Sequence, residues 1–255
     1  MGGQVTSLQA NGIVRTTLTA ALRTIYPPHC LACNDVVGTE DGLCGTCWRD
    51  TYFLTGLVCD ACGAPLQGED TGEKGMCDDC LSIARPWSRG RAAMIYAGTG
   101  RRLVLGFKHG DRTELARVAA RWMATAGRDI LEPGMLAVPV PLHWRRLFHR
   151  KYNQSALLAA GLARQAGLET CPDLLRRSRH TGTQEGRGRD QRFENVSGAI
   201  GVHPKRAHLL TGRNVVLVDD VLTSGATLAA CADACLAHGA RDVRVIVLAR
   251  VVKDR

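Results

Sequence analysis

The stretch Val215-Val216-Leu217-Val218-Asp219-Asp220-Val221-Leu222-Thr223-Ser224-Gly225-Ala226-Thr227-Leu228-Ala229 decides how this chain is read. Four consecutive branched apolar residues, Val215 to Val218, predict a strand buried on both faces, as in a parallel sheet. The Ala-, Leu- and Cys-rich run after Gly225 predicts a helix, which Gly239 closes at its C′ position. Between strand and helix lies a ligand loop. Thr223, Ser224 and Thr227 offer hydroxyls, Gly225 lets the backbone approach closely, and from Ala226 onward the free N–H groups of the first helical turn aim at an anion. Asp219 and Asp220, at the expected end of the strand, would repel a phosphate. They suit neutral hydroxyls, or a divalent metal that the phosphate carries. An anion cradle beside two carboxylates predicts a sugar phosphate as ligand.

A chain of 255 residues that is 45% apolar permits one large or two small domains with an ordinary core. No apolar run approaches the length of a membrane span, and Met1 to Ala10 lacks the charged start and long apolar stretch of a secretory signal. A cytoplasmic protein without membrane insertion is the expectation. The formal charge of +9 favours polyanionic partners, either nucleic acid or phosphorylated metabolites.

Eight of the eleven cysteines form four Cys-x-x-Cys pairs: Cys30/Cys33, Cys44/Cys47, Cys59/Cys62 and Cys77/Cys80. In a reducing compartment this spacing argues for metal. Redox pairs and an iron–sulfur cluster are the rivals, but redox motifs do not come four in a row. The segment 30–84 has only Trp48, Tyr52, Phe53 and a few aliphatics as a core. Two Zn²⁺ ions, each held tetrahedrally by four thiolates, would supply the missing folding energy and leave no open position for water, so the zinc is structural. Sequential pairing of the motifs gives a double zinc ribbon; an interleaved cross-brace is the alternative. Such ribbons can also recruit a protein partner. Ahead of them, residues 1–29 carry Val14, Leu18, Ala21, Leu22 and Ile25 at helical spacing before Pro27 and Pro28, a short amphipathic helix. Cys231 and Cys235, one helical turn apart, read as core packing.

After a linker with Pro86 and Gly90, residues 91–255 alternate strand and helix: a strand over Ala92 to Ala97, helices over Gly100 to Phe107 and Glu114 to Ala126, a strand over Met135 to Val140. That alternation predicts a parallel α/β sheet flanked by helices. Ligands gather at the carboxyl ends of such strands, so the turn beginning Pro139-Val140-Pro141 should face the same crevice as Asp219. Arg145 and Arg146 there suit a diphosphate, followed by Asn153 and Gln154 before a helix from about Ser155 to Gln165. Arg176 to Asn195, with Arg179, Gln184 and Arg192, is almost free of aliphatics and reads either as a lid over phosphates or as a track for a nucleic-acid backbone.

Together these residues resemble the ComF family of phosphoribosyltransferase-domain proteins. The likeness rests on the Cys-x-x-Cys ribbons, Tyr96-x-Gly98-x-x-Arg101 with Lys108, the Val138-Pro-Val-Pro-Leu142 turn, Tyr152-Asn153-Gln154, the Arg179…Gln184…Arg192…Asn195 segment, and the Asp-Asp…Thr-Ser-Gly-x-Thr loop. One departure stands out: Arg150-Lys151-Tyr152 occupies a place where the family usually has Arg-Gly-Phe. The resemblance implies a type I phosphoribosyltransferase fold, Mg²⁺-dependent binding of phosphoribosyl diphosphate (PRPP) and, for some members, a part in DNA uptake during natural competence. Two functions follow. In one, Asp219 and Asp220 are catalytic, holding the ribose hydroxyls while Thr223 to Thr227 grips the 5-phosphate and the phosphoribosyl group passes to an acceptor. In the other, the basic run from Arg145 through Arg192, with Trp144 and Tyr152 for stacking, binds single-stranded DNA.

Overall fold

The computed structural model describes residues 26–39, 42–69, 72–109, 112–142, 152–177 and 198–252. The chain forms two compact units, Met1–Arg49 and Asp50–Arg255. In the first unit, Cys30, Cys33, Cys44 and Cys47 come together beside a one-turn helix, α1 (Gly45–Arg49). The expected helix at Val14 to Ile25 lies outside the described residues.

Among the described residues of the second unit, five strands make one parallel sheet: β1 (Arg89–Ile95), β2 (Leu136–Pro139), β3 (Glu169–Thr170), β6 (Asn214–Leu222) and β7 (Asp242–Arg250), in the order β1-β7-β6-β2-β3. A separate antiparallel pair joins β4 (Leu175–Arg177) to β5 (Ile200–Val202). Helices α3 (Gly98–His109), α4 (Leu115–Ala126), α5 (Gln154–Ala166) and α6 (Ala226–Ala237) complete the α/β layers, with a short α2 (Asp78–Ser82) in the ribbon. Val215 to Val218 are fully buried, as a strand covered on both faces requires. Gly239, at φ +88°, follows the end of α6 as expected. No described helix is long and apolar enough to cross a membrane.

Three differences from the sequence reading matter for function. First, β6 does not stop before Asp219. It pairs with β7 as far as Leu222↔Arg250, because β7 is nine residues long, while β2 leaves it at Pro139↔Val218. Secondly, Gly90 is not linker but part of β1, where its N–H donates to the Asp60 carbonyl at 2.7 Å. A Cβ at Gly90 would lie 2.4 Å from the Ala61 carbonyl oxygen, so only glycine lets the Cys59–Cys62 knuckle abut the strand. Thirdly, Trp48 and Tyr52 are 53% and 57% exposed and form no core. Instead Cys59, Ala61, Cys62, Ala64, Cys80 and the buried Trp87 join the hydrophobic cluster of Leu222, Val245 and Val247. Asp60 adds ion pairs to Arg89 at 3.2 Å and Arg91 at 2.9 Å. The second ribbon thus borrows the sheet's core, which explains how so short a segment is buried at all.

Candidate functional site

Where β2 turns away, Val140 N–H makes the last bond to β6, at the Val218 carbonyl, 3.0 Å. The next two residues of β6 are the acid pair. Asp219 Oδ1 accepts its neighbour's backbone N–H, from Asp220, at 2.9 Å, and the Ser155 hydroxyl at 2.8 Å. Burial first, and then the adjacent Asp220 carboxylate, push the Asp219 carboxyl up to about 7 against the pull of Ser155 and Lys108. Asp220 is buried and pairs with Lys108 Nζ at 3.1 Å.

The start of α5 holds this arrangement together. Asn153 caps the helix by accepting the Ser155 N–H at 3.1 Å, and its amide donates to the Val140 carbonyl, also at 3.1 Å. Gln154, 2% exposed, donates to the Lys108 carbonyl at 3.4 Å. The Tyr152 hydroxyl donates to the Phe107 carbonyl at 3.0 Å. Lys108, Val140, Asn153, Gln154, Asp219 and Asp220, singled out from sequence, therefore meet in one place. Asn153 and Gln154 do so through protein partners, fixing the helix turn that sets Ser155 on Asp219. Ser155 itself is the residue that sequence reasoning passed over; its place directly after the Asn-Gln pair was the available signal.

The loop beyond β6 presents Thr223 exposed and Ser224 and Thr227 half-exposed. Helix α6 starts from Gly225 with no side-chain cap, and Ser224 Oγ approaches the Ala226 N–H only at 3.5 Å. Hydroxyls and first-turn N–H groups suited to an anion are thus gathered beside the acid pair. Gly225 sits at φ +85°, and a Cβ there would lie 2.7 Å from Arg85 Nη1 and 3.1 Å from the Trp87 ring. Arg85 Nη1 donates to the Ser224 carbonyl at 2.6 Å, and Arg250 Nη1 to the carbonyls of Leu222 at 3.3 Å and Thr223 at 3.0 Å. Neither arginine was anticipated, though Arg250 is conspicuous as a cation ending the apolar run Val245 to Ala249. Pro139, Val140 and Pro141 are buried where the β2 turn begins. Arg145, Arg146, Arg179, Gln184 and Arg192 lie outside the described residues.

The ligand atoms of Cys30, Cys33, Cys44 and Cys47, and those of Cys59, Cys62, Cys77 and Cys80, lie within 4.8 Å of one another in each set. The pairing is therefore sequential, and the interleaved alternative is excluded. The Cys33–Cys44 and Cys62–Cys77 sulfurs are 3.7 and 3.6 Å apart. A tetrahedron of Zn–S bonds has edges of about 3.8 Å, so both sets fit zinc. Backbone N–H groups of Cys44 and Ala32 point at Cys30 Sγ at 3.2 and 3.5 Å. Burial raises the Cys30 thiol, yet such N–H groups outweigh it and bring the group down to about 6, towards the thiolate a metal needs. Cys235, by contrast, is pushed up to about 12 by burial; with Cys231 it is core.

Residues 21–81 match the double zinc ribbon domain family, and residues 153–255 match the phosphoribosyl transferase domain family. The DNA utilization protein YhgH of Escherichia coli is 31% identical over 216 residues, which cover 83% of this chain and 91% of that protein. Competence protein F of Haemophilus influenzae is 29% identical over the same extent. The chain belongs to the ComF family. Competence protein ComFC of Bacillus subtilis is a more distant relative, 23% identical over 207 residues, covering 78% of this chain and 80% of its own. In this ComF-family chain the phosphoribosyl transferase match begins at Asn153 and takes in α5, β6, α6 and β7, the elements that carry Ser155, the acid pair and the hydroxyl loop.

Proposed function

We propose that this ComF-family protein binds PRPP with Mg²⁺ at the carboxyl ends of β2 and β6. The observation that carries the reading is the succession, on one strand-turn-helix, of a carboxyl raised to about 7, a buried carboxylate paired with Lys108, and a hydroxyl loop leading into an uncapped helix. Thr223 to Thr227 and the first turn of α6 hold the 5-phosphate. Asp219 and Asp220 accept hydrogen bonds from the ribose hydroxyls and stabilise positive charge that develops on the ring as the anomeric bond breaks. Lys108 leaves Asp220 for the diphosphate, towards which Arg145 and Arg146 also contribute; Mg²⁺, when bound, would offset the diphosphate's charge. Transfer to an acceptor then makes the protein a phosphoribosyltransferase of the glycosyltransferase class. The test is calorimetry with PRPP and Mg²⁺: the pair Asp219→Ala, Asp220→Ala abolishes binding while two zinc ions per chain remain. Undiminished binding by that variant removes the assignment.

A second reading is supported by the relatives' names, DNA utilization protein and competence protein F, and by the charge of +9. Single-stranded DNA lies along the basic segment that includes Arg179 and Arg192, and the ribbons engage a protein partner. Arg179→Ala with Arg192→Ala then lowers both the affinity and the slope of affinity against salt, by roughly one unit per lost phosphate contact. An unchanged slope refutes it.

A further inference from the structure

We propose that Arg85 and Arg250 make the second zinc centre a working part of the phosphate loop, so that metal held by Cys59, Cys62, Cys77 and Cys80 sets the loop conformation in which ligand binds. The inference rests on the reading of Thr223 to Thr227 as a phosphate site and adds its regulation.

Both arginines donate to the loop backbone, Arg85 from just beyond the second ribbon and Arg250 from the end of β7. Arg250, 4% exposed, donates through Nη1 to the carbonyls of Leu222, Thr223 and Val251. Its Nη2 stands 3.9 Å from Asp79 Oδ2, and Asp79 lies between the last two zinc ligands in sequence. Arg85 donates to the Ser224 carbonyl at 2.6 Å and stacks on the Trp87 ring, 5.3 Å from its centroid. Trp87 is anchored in turn by its indole N–H on the Ala61 carbonyl, inside the Cys59–Cys62 knuckle, at 2.6 Å. Two cations thus hold three consecutive loop carbonyls while they touch the second ribbon through Asp79 and through Trp87.

The consequence follows from peptide geometry. In a planar trans peptide the C=O of one residue and the N–H of the next point in opposite directions. Tying the carbonyls of Leu222 and Thr223 to Arg250 and that of Ser224 to Arg85 therefore turns the N–H groups of Thr223, Ser224 and Gly225 the other way, as an anion requires. The metal enters through the geometry of the ribbon. Zn²⁺ would hold Cys59, Cys62, Cys77 and Cys80 together, fixing the Ala61 carbonyl against the Trp87 indole and Asp79 beside Arg250. Without it the knuckles are free to separate, and the contacts that seat both arginines on the loop loosen with them.

The experiment uses the full chain with both sites zinc-loaded. Calorimetry with PRPP and Mg²⁺ is paired with amide hydrogen exchange, resolved for residues 222–228, and with zinc content per chain. Arg85→Met, which keeps the apolar contact with Trp87, retains two zinc ions, weakens PRPP by about tenfold and speeds exchange in the loop. Arg85→Lys recovers part of both. Cys77→Ser, at a half-exposed ligand, holds one zinc and shows the same loop exchange as Arg85→Met, while exchange in β2 and α5 stays that of the wild type. Wild-type loop exchange in the one-zinc chain, or a loss of protection spread evenly over the sheet, overturns the proposal. Should the wild type fail to bind PRPP at all, the reading of the site falls and the exchange pattern alone decides the arginine bridge.

Discussion

Replacing Asp219 by Asn tests the chemistry of the acid pair without a ligand. The Asp219 carboxyl stands at about 7 in the folded chain against an ordinary 3.8. The folded state therefore keeps a proton that the unfolded chain releases, and stability falls as pH rises through that window, levelling off above about pH 7.5. At about 1.36 kcal/mol per unit, the cost between about pH 5.5 and about pH 8 grows by about 2 kcal/mol. Asn keeps a carbonyl oxygen for Ser155 and for the Asp220 N–H but carries no charge. Asp219→Asn is thus more stable than the wild type near neutrality, and its advantage widens by about 1 to 2 kcal/mol from about pH 5.5 to about pH 8, the lower figure allowing for partial solvation of a half-buried group. Urea unfolding of both proteins at a series of pH values in this range measures it. Zinc thiolates also titrate on acidification, but equally in both chains, so the difference between the two curves isolates Asp219. A difference independent of pH refutes the argument, and with it the idea that stability is surrendered at this position for function.

Three further outcomes follow from the same geometry. PRPP affinity rises between about pH 6 and about pH 8, since hydroxyls bond best to ionised Asp219, and calorimetry in buffers of different ionisation enthalpy reads a proton released on binding. Lys108→Met leaves the buried Asp220 carboxylate without its 3.1 Å partner; it lowers stability by about 1 to 3 kcal/mol and PRPP affinity by about tenfold, measured by thermal unfolding and calorimetry. Gly225→Ala must place a Cβ 2.7 Å from Arg85 at φ +85°; it costs about 1 to 3 kcal/mol and removes PRPP binding, whereas Gly134→Ala, at φ +83° with nothing within 4 Å, carries the backbone penalty alone.

Much of this was legible because it is local in sequence. The run Val215 to Val218, the acid pair, the hydroxyls and Gly225 fall within one strand-turn-helix, and each Cys-x-x-Cys closes on itself. What local pattern could not give was partnership across the chain. The length of β6 depends on β7, which continues to Arg250 where β2 has already left, so the strand outruns its own apolar stretch. That the amides of Asn153 and Gln154 anchor α5 becomes visible only with the positions of Val140 and Lys108. Ser155 became visible for the same reason, through an aspartate 64 positions away. Gly90, Trp48 and Tyr52 were misjudged because nothing in residues 30–84 announces that the Cys59–Cys62 knuckle leans on a strand edge, leaving Tyr52 outside and Trp87 within.

That leaning has a bearing on how such a chain can be cut and rejoined. The compact units divide after Arg49, between the two ribbons, and not after the second of them. A lineage can gain or shed the first ribbon as a block, but the second has no existence as a detachable cassette: Ala61, Cys62, Ala64 and Trp87 are wall panels of the room that the sheet encloses. Descendants that abandon the metal there must refill that wall with side chains of comparable bulk, and the expected trace of such an event is large apolar residues arriving together at the former cysteine positions.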